Sequence, residues 1–282
     1  MKEALRRETD DLTFAWLSKT PEKLRSYLIS GIQDPRSNLQ SILTRHYFIR
    51  QLFGVEFEQL QRQELLHAMR LNTERVEQRP VSDEQKSEFQ ARWRAALSQA
   101  RGQPISVLEV ACGSANDYRF LDSYGVARFL NYSGFDLSAD NIANARDMFP
   151  QADFQRGNVF DIPRPDESVD VVLVFDLFEH LSLEGLEVAL DEACRVARRG
   201  LVLNFFNIED TAEHRPHAVA ERRYHWNTLS LKRLTASLTA RSKRVETVHI
   251  HAMAVDTFRS YGVFDSFLDD LNPNLYTFLV EK

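Results

Sequence analysis

Between residues 105 and 206, short β-branched runs alternate with amphipathic stretches, and this alternation constrains the fold more than any other feature of the sequence. We predict strands at 105–110, 132–136, 153–157, 169–175, 201–206, 245–251 and 276–281. Helices are predicted at 115–124, 139–148 and 184–198, whereas the turn-rich stretch 158–168 contains no clear helix. Strands that alternate with helices form a mostly parallel sheet with helices on both faces. The expected fold class is therefore α/β.

The chain changes character at Gly102-Gln103-Pro104. Before this point glycine is scarce, and apolar residues recur at helical spacing. We expect roughly four helices there, ending near residue 100. Residues 1–103 are therefore interpreted as a helical N-terminal extension, and residues 104–282 as the main domain.

Charge is divided unevenly along the chain. The 282 residues include 35 basic and 41 acidic side chains, which gives a net charge of −6, with +3 in residues 1–104 and −9 in residues 105–282. An acidic domain offers no attraction for a polyanion, so we expect no nucleic-acid partner. No apolar run reaches about 18 residues and the N-terminus lacks an apolar signal core, so we expect no membrane span and a cytoplasmic location.

The most informative segment is Glu109-Val110-Ala111-Cys112-Gly113, where an apolar strand ends in a carboxylate and a tight turn of small residues. In doubly wound sheets, ligands bind at the carboxyl ends of the strands. Small side chains there allow a ligand to approach the backbone closely. Asp136 ends the second strand 23 residues after Gly113, a spacing at which a carboxylate binds the hydroxyls of a ribose.

The same loop disfavours other nucleotide ligands. Positions 111, 113 and 116 carry Ala, Gly and Asn, whereas a dinucleotide fingerprint needs three glycines, so a nicotinamide or flavin enzyme is disfavoured. No G-K-[ST] sequence is present, which excludes a P-loop nucleotidase. An adenosine ligand without phosphates remains.

Four successive stretches carry a resemblance to a known family: 109–115, 135–138, 157–163 (GNVFDIP) and 168–181 (from SVDVV to FEHL). Together they resemble the class I S-adenosylmethionine-dependent methyltransferases of the broad small-molecule type, over residues 104–206. The resemblance implies a Rossmann-like, seven-stranded, mostly parallel sheet. It also implies S-adenosyl-L-methionine as cofactor, S-adenosyl-L-homocysteine as product, and an N-terminal helical cap over the substrate pocket.

The resemblance assigns the methionyl and ribose contacts. Glu109, Ala111 and Gly113 would lie against the methionyl part of the cofactor, and Phe175 would begin the loop under the sulfonium. Asp136 would bind the ribose. Two alternatives remain, because the Glu109 carboxylate is also suited to cap the helix that follows it and Asp136 to cap the helix that begins near residue 138.

The adenine contacts follow in the same way, with two departures from the family pattern. Leu137 would pack on the adenine, and Asn158 and Val159 would frame its edge. Asn158 replaces the usual aspartate, but its amide oxygen still accepts a hydrogen bond from the adenine amino group. Alanine replaces glycine at 111 and 115, and it suits the turn only where φ is negative, so we expect both residues to avoid the left-handed region.

His180 follows the fourth strand and is the candidate catalytic base, although Glu179-His180 equally suits a role in ordering the loop. Tyr224, His225 and Trp226 are the candidate acceptor-binding residues, in a segment that faces the pocket in this fold. His214 and His217 are two ligands without a third, and residues 203–207 supply no second carboxylate beside Asp176, so we expect no metal.

The sequence thus predicts a methyltransferase that acts on a hydroxyl or amine of a small molecule, in secondary metabolism, as a monomer or homodimer. O-methylation is the leading form of the reaction. Two alternatives remain open: a methyltransferase that acts on protein or RNA, and a non-catalytic subunit that only binds the cofactor.

Overall fold

A computed structural model describes residues 1–5, 47, 51, 104–123, 127–219, 224–253, 255 and 272–282. Seven strands form its central sheet: β1 (Ile105–Val110), β2 (Leu130–Asp136), β3 (Asp153–Arg156), β4 (Val169–Phe175), β5 (Ala197–Phe205), β6 (Arg244–His249) and β7 (Tyr276–Glu281). Their spatial order is β6-β7-β5-β4-β1-β2-β3. The pairs from β3 to β5 are parallel, and β7 runs antiparallel to both of its neighbours.

Within the described ranges from residue 104 onwards, four α-helices flank the sheet: α1 (Asn116–Ser123), α2 (Ala139–Met148), α3 (Leu183–Val196) and α4 (Leu231–Thr239). Serines fix the starts of three of them. Ser138, Ser182 and Ser230 each accept a hydrogen bond from the backbone N–H three residues further on. Such a cap satisfies an amide that has no partner within the helix, which is why the helices begin at these positions.

The sheet is buried on both faces, as its uninterrupted apolar strands require. Val171 and Leu173 of β4 belong to the core on the face covered by α1 and α2, and Val172 and Val174 belong to the core under α3 and α4. All four side chains are buried. This two-sided burial is the main apolar contribution to the stability of the described fold.

The predicted fold class is confirmed, and the predicted bounds of β1, β4, β7 and α2 are those of the structure. Among the elements that were predicted, the largest difference in bounds is at β5, which begins at Ala197 directly after α3 instead of at residue 201. The helix was predicted to extend to residue 198 because arginines are common in the last turn of a helix. Arg198 instead extends from β5, with its guanidinium bonded to Asp170 at 2.9 Å and to the carbonyl of Glu167 at 3.1 Å.

Most of the predicted N-terminal extension lies outside the described residues, so the helical cap stays a prediction. Two of its described residues contact the sheet core. Leu5 is buried in the core under α3, and Tyr47 packs against the core on the opposite face. Among the helices of the described ranges, none has the length and apolar character that a membrane crossing requires.

Candidate active site

The ends of β1 and β2 are tied together by Asp136. Its Oδ2 accepts a hydrogen bond from the Gly113 N–H at 2.9 Å, and its Oδ1 accepts from the Ser138 N–H at 2.8 Å. The Asn141 amide donates to the same Oδ1 at 3.3 Å. Asp136 thus orders both turns, whereas the cap of α2 itself is Ser138. Since each carboxylate oxygen offers two acceptor sites, this role is compatible with a bond from a ribose hydroxyl.

The turn after β1 is left-handed at three positions. Ala111 has φ 58°, Gly113 has φ 55° and Ala115 has φ 62°. Our expectation that the two alanines avoid positive φ was wrong. Local hydrogen bonds impose the turn: the Cys112 N–H donates to the Phe135 carbonyl at 3.0 Å, and the Ala115 N–H donates to the Cys112 carbonyl at 2.9 Å. Each left-handed alanine costs about 1–2 kcal/mol relative to the right-handed form.

Open space lies beside Gly113. A Cβ added there would meet no atom of the described residues within 4 Å. This space adjoins a backbone that is held by Asp136, at the carboxyl edge of the sheet, where doubly wound folds bind nucleotides. The arrangement fits a ligand that approaches the backbone closely, as an adenosine cofactor without phosphates would.

Glu109 is buried under this turn. The Tyr132 hydroxyl donates to its Oε2, and burial, followed by the charge of Glu109, raises the pKa of Tyr132 well above its usual value. The bond joins β1 to β2 from one face of the sheet. Glu109 therefore anchors the strands that carry the turn, and its contact with a methionyl group stays a prediction.

The residues predicted to frame the adenine lie in a second turn, after β3. The Asn158 side-chain oxygen accepts a hydrogen bond from the Phe160 N–H at 3.0 Å, which closes an Asx turn. Val159 is buried, and the Leu137 carbonyl accepts from Arg156 Nε at 3.1 Å. Asn158 therefore shapes its own loop, and its contact with an adenine amino group stays a prediction.

Three of the residues predicted for catalysis and acceptor binding come together after β4. His180 lies at the end of a short 3₁₀ helix (Phe178–His180), with its Nδ1 3.2 Å from the His225 carbonyl and its ring centroid 5.1 Å from that of Trp226. A carbonyl only accepts, so Nδ1 carries a hydrogen, and Nε2 faces the Asp176 carboxylate. The side chain of Tyr224 lies outside the described part of the structure.

Asp176 is a partner of His180 that the sequence analysis considered only as a metal ligand. Its Oδ1 lies 3.4 Å from His180 Nε2, and its side chain is 56% exposed. Burial acts to lower the pKa of His180, but the bond to Asp176 and the charge of Glu179 outweigh it, so the pKa is raised. The spacing of four residues between Asp176 and His180 was the available sequence signal.

Glu179 is the second residue of this cluster that the sequence analysis did not place in the site. It is 1% exposed, and its Oε1 accepts from the Phe206 N–H at 3.1 Å. Its Oε2 is buried without a hydrogen-bond partner among the described residues. Burial, followed by the charge of Asp176, raises the pKa of Glu179 to about 7. The carboxyl therefore holds a proton more readily than a solvated one.

His214 stands apart from this cluster. Its Nδ1 accepts a hydrogen bond from the Ser230 N–H at 3.0 Å, and burial lowers its pKa. It therefore supports the start of α4. Among the described ranges, no group of three or more His, Cys, Asp or Glu side chains is arranged to hold a metal ion.

Comparison with known families decides the identity of the domain. Residues 107–200, which run from β1 into β5, match the family model described as a methyltransferase domain. Over these residues the chain is similar to S-adenosylmethionine-dependent methyltransferases. The cofactor of this family is S-adenosyl-L-methionine, and the turns after β1, β2 and β3 supply the residues that would hold it.

Curated relatives resemble the methyltransferase domain over part of their length. A probable S-adenosylmethionine-dependent methyltransferase of Mycolicibacterium smegmatis is 34% identical over 98 residues, which cover 33% of this chain and 34% of that protein. A fatty-acid O-methyltransferase of the same organism is 32% identical over 110 residues, which cover 38% of this chain and 39% of that protein. The chain thus spans little more than a third of the length of these relatives.

Solved structures resemble the domain more weakly in sequence. A S-adenosylmethionine-dependent methyltransferase from Mesorhizobium loti matches with a TM-score of 0.48 and 14% identity, over 68% of this chain and 98% of that one.

Proposed function

We propose that the protein transfers a methyl group from S-adenosyl-L-methionine to a hydroxyl or amine of a small molecule. One observation carries the proposal. β1 and β4 are neighbours in the sheet, with Val110 paired to Val174, so the turn held by Asp136 and the loop that carries His180 leave the same edge from adjacent strands. A cofactor held at the first turn would therefore lie beside the histidine.

Methyl transfer requires chiefly that the protein align the acceptor atom with the methyl group of the cofactor. The cofactor supplies a methyl carbon bonded to a positive sulfur; the bond from that carbon to sulfur breaks as the bond to the acceptor oxygen or nitrogen forms. Asp136 and the turn around Gly113 would orient the cofactor. His180 Nε2 would accept the proton that the acceptor loses, and Asp176, 3.4 Å away, would stabilise the imidazolium that results.

The segment after β5 would bind the acceptor. Trp226 is 50% exposed beside the His180 ring, and Phe206 is also exposed, directly after the end of β5. Exposed aromatic side chains at one edge of the sheet are suited to hold an apolar part of a small molecule. The net charge of −9 over residues 105–282 disfavours a nucleic-acid acceptor.

Two measurements test the proposal. Calorimetric titration with S-adenosyl-L-homocysteine is expected to show saturable binding, and turnover is expected on a panel of phenols, amines, sugars and, because one relative is a fatty-acid O-methyltransferase, fatty acids. Tight binding without turnover on any acceptor would support a non-catalytic subunit, whereas transfer to tRNA or a protein would support the macromolecular alternative. Absence of binding would contradict the proposal.

The role of His180 is tested separately. We expect His180→Ala to lower turnover about 10²-fold or more for a hydroxyl acceptor, as loss of a general base does, with similar affinity for S-adenosyl-L-homocysteine. His214→Ala is the matched control, because His214 supports α4 and lies outside the cluster. Full activity of His180→Ala would show that the histidine only orders the loop.

A further inference from the structure

We propose that Asn227 is a positioning residue that fixes His180, by holding the two backbone carbonyls on either side of it. The inference rests on the proposed function for its catalytic consequence, but not for its geometry. Asn227 lies outside the segment 107–200 that matches the methyltransferase family, so nothing in that match assigns it a role.

Asn227 makes hydrogen bonds to the residues immediately before and after His180. The Asn227 backbone N–H donates to the Glu179 carbonyl at 2.8 Å. Its side-chain Nδ2 donates to the Leu181 carbonyl at 2.6 Å. The residues immediately before and after His180 are thus both bonded to the same asparagine, which restricts the backbone of the residue between them.

The other two polar groups of Asn227 bond to segments other than the loop that carries His180. Its Oδ1 accepts from the His217 N–H at 2.9 Å, and its backbone carbonyl accepts from the Asn207 side chain at 2.8 Å. Asn227 therefore joins the loop after β4 to the short hairpin (Ala218–Val219 with Tyr224–His225) and to the segment after β5. The side chain is 0% exposed, so each of these bonds forms away from water, where a lost partner costs most.

The segment that ends at Asn227 also positions the ring of His180. The carbonyl that accepts from Nδ1 belongs to His225, two residues before Asn227, and the ring that packs on His180 belongs to Trp226. Asn227 thus fixes both the backbone of the histidine and the segment that sets its tautomer. Glu179 strengthens this arrangement, because its Oε1 accepts from the Phe206 N–H while its carbonyl accepts from Asn227.

Among the described residues, the charged and titratable groups that are in contact with His180 lie on the joined segments. Asp176 and Glu179 come from its own loop, and His225 comes from the hairpin. Because contact with Asp176 and Glu179 raises the pKa of His180, displacement of the loop is expected to return that pKa towards its ordinary value. A residue with a merely structural role would lower stability and leave this ionisation unchanged.

Tryptophan fluorescence offers a direct readout, because a protonated imidazole quenches an adjacent indole more strongly than a neutral one. The chain has three tryptophans, so Trp16→Phe and Trp93→Phe leave Trp226 as the sole reporter. In this background the pH midpoint of Trp226 fluorescence is expected to report His180, and His180→Gln should abolish the transition. Neither cofactor nor acceptor is needed for this measurement.

Asn227→Ala is expected to move this midpoint to lower pH by about half a unit or more, since a loop freed by loss of the bond to Leu181 no longer holds His180 against the carboxylates. It is also expected to lower kcat by about tenfold to a hundredfold, as misplacement of a catalytic group does, with cofactor affinity unchanged within about twofold. Asn227→Asp, which keeps the acceptor oxygen and loses the donor to Leu181, serves if the alanine variant does not fold.

Two controls separate positioning from stability. Asn207→Ala removes the bond to the Asn227 carbonyl, which does not involve the loop that carries His180. Glu192→Gln removes a buried carboxylate bonded to Arg195 and Ile162, at the other end of α3. Both are expected to lower the unfolding temperature while the Trp226 midpoint stays in place.

An unchanged midpoint and an unchanged kcat in folded Asn227→Ala would overturn the proposal. This failure is distinct from failure of the proposed function, which would appear in the otherwise wild-type protein as no binding of S-adenosyl-L-homocysteine, with the fluorescence transition intact.

Discussion

At the residue scale, the turn after β1 contains two alanines whose left-handed backbone is strained. Ala111 and Ala115 hold left-handed backbone that glycine would adopt without penalty. Their surroundings differ, because Ala115 is 0% exposed whereas Ala111 is only partly buried. The methyl group of Ala115 therefore offsets part of its strain by packing in the core on the side of α1 and α2.

This difference predicts opposite effects of glycine at the two positions. We expect Ala111→Gly to raise the free energy of unfolding by up to about 1 kcal/mol, because relief of strain exceeds the added entropy of the unfolded chain. Ala115→Gly also removes a buried methyl worth about 0.8 kcal/mol, so its effect is expected to be near zero or destabilising. Urea denaturation of both variants checks this. Destabilisation of Ala111→Gly beyond that of Ala115→Gly would contradict the strain argument.

Asp136 is the residue on which cofactor affinity is expected to depend most. Its carboxylate orders the Gly113 turn and the start of α2, and it is the proposed ribose ligand. We expect Asp136→Ala to weaken binding of S-adenosyl-L-homocysteine by at least about tenfold, which is about 1.4 kcal/mol. The exposed neighbour Asp140 provides the control, since Asp140→Ala removes one acidic charge from the same helix. Equal affinities of the two variants by calorimetry would remove the ribose assignment.

At the scale of elements, the pairing of β5 with β7 depends on Gly200. This glycine pairs with Glu281, and a Cβ added to it would lie 2.0 Å from the backbone carbonyl oxygen of Val280. A backbone atom cannot rotate away, so the two strands would have to separate locally.

We therefore expect Gly200→Ala to lower the free energy of unfolding by roughly 1–3 kcal/mol, the usual cost of overpacking. Arg199→Ala, at the exposed position next to it, is expected to stay close to wild type. The two variants are compared by urea denaturation. A Gly200→Ala protein as stable as wild type would mean that β7 is free to shift along β5.

At the scale of the whole molecule, Glu192 connects three distant parts of the chain. Its carboxylate accepts from Lys2 at 2.5 Å, from Arg195 at 2.8 Å and from the Ile162 N–H at 2.9 Å. Burial acts to raise the pKa of Glu192, but these bonds outweigh it and lower the pKa to about 2. The N-terminus, α3 and the turn before β4 are thus joined by one buried carboxylate.

This linkage predicts how stability falls in acid. Because the folded pKa lies below the ordinary value of 4.5, the contribution of Glu192 is complete above about pH 4.5 and is lost as the pH falls towards 2. We expect a loss of about 2 kcal/mol from this group over that window. In Glu192→Gln the acid-dependent slope of the unfolding free energy is expected to be smaller. An identical slope in the variant and the wild type would contradict the assignment.

The sequence was sufficient to predict most strands and helices of the sheet domain and the part of the site around Gly113 and Asp136. Apolar runs defined β1, β4 and β7 because their period and length survive tertiary packing. Spacing along the chain identified Gly113 and Asp136, which the structure joins by a hydrogen bond. The antiparallel pair of Ala218–Val219 with Tyr224–His225 was not predicted, because its two-residue strands are too short to leave a periodic signal.

What the sequence by itself determined is the alternation that specifies a doubly wound sheet and the order of the polar residues that end its strands. Only the tertiary structure decided the left-handed backbone of Ala111 and Ala115, the burial of Glu179 and the bonds of Asn227 on either side of His180. These features depend on contacts between residues 27 and 46 positions apart, or on turns closed by neighbouring strands. Such contacts cannot be predicted from local composition, since they form only when the strands have assembled.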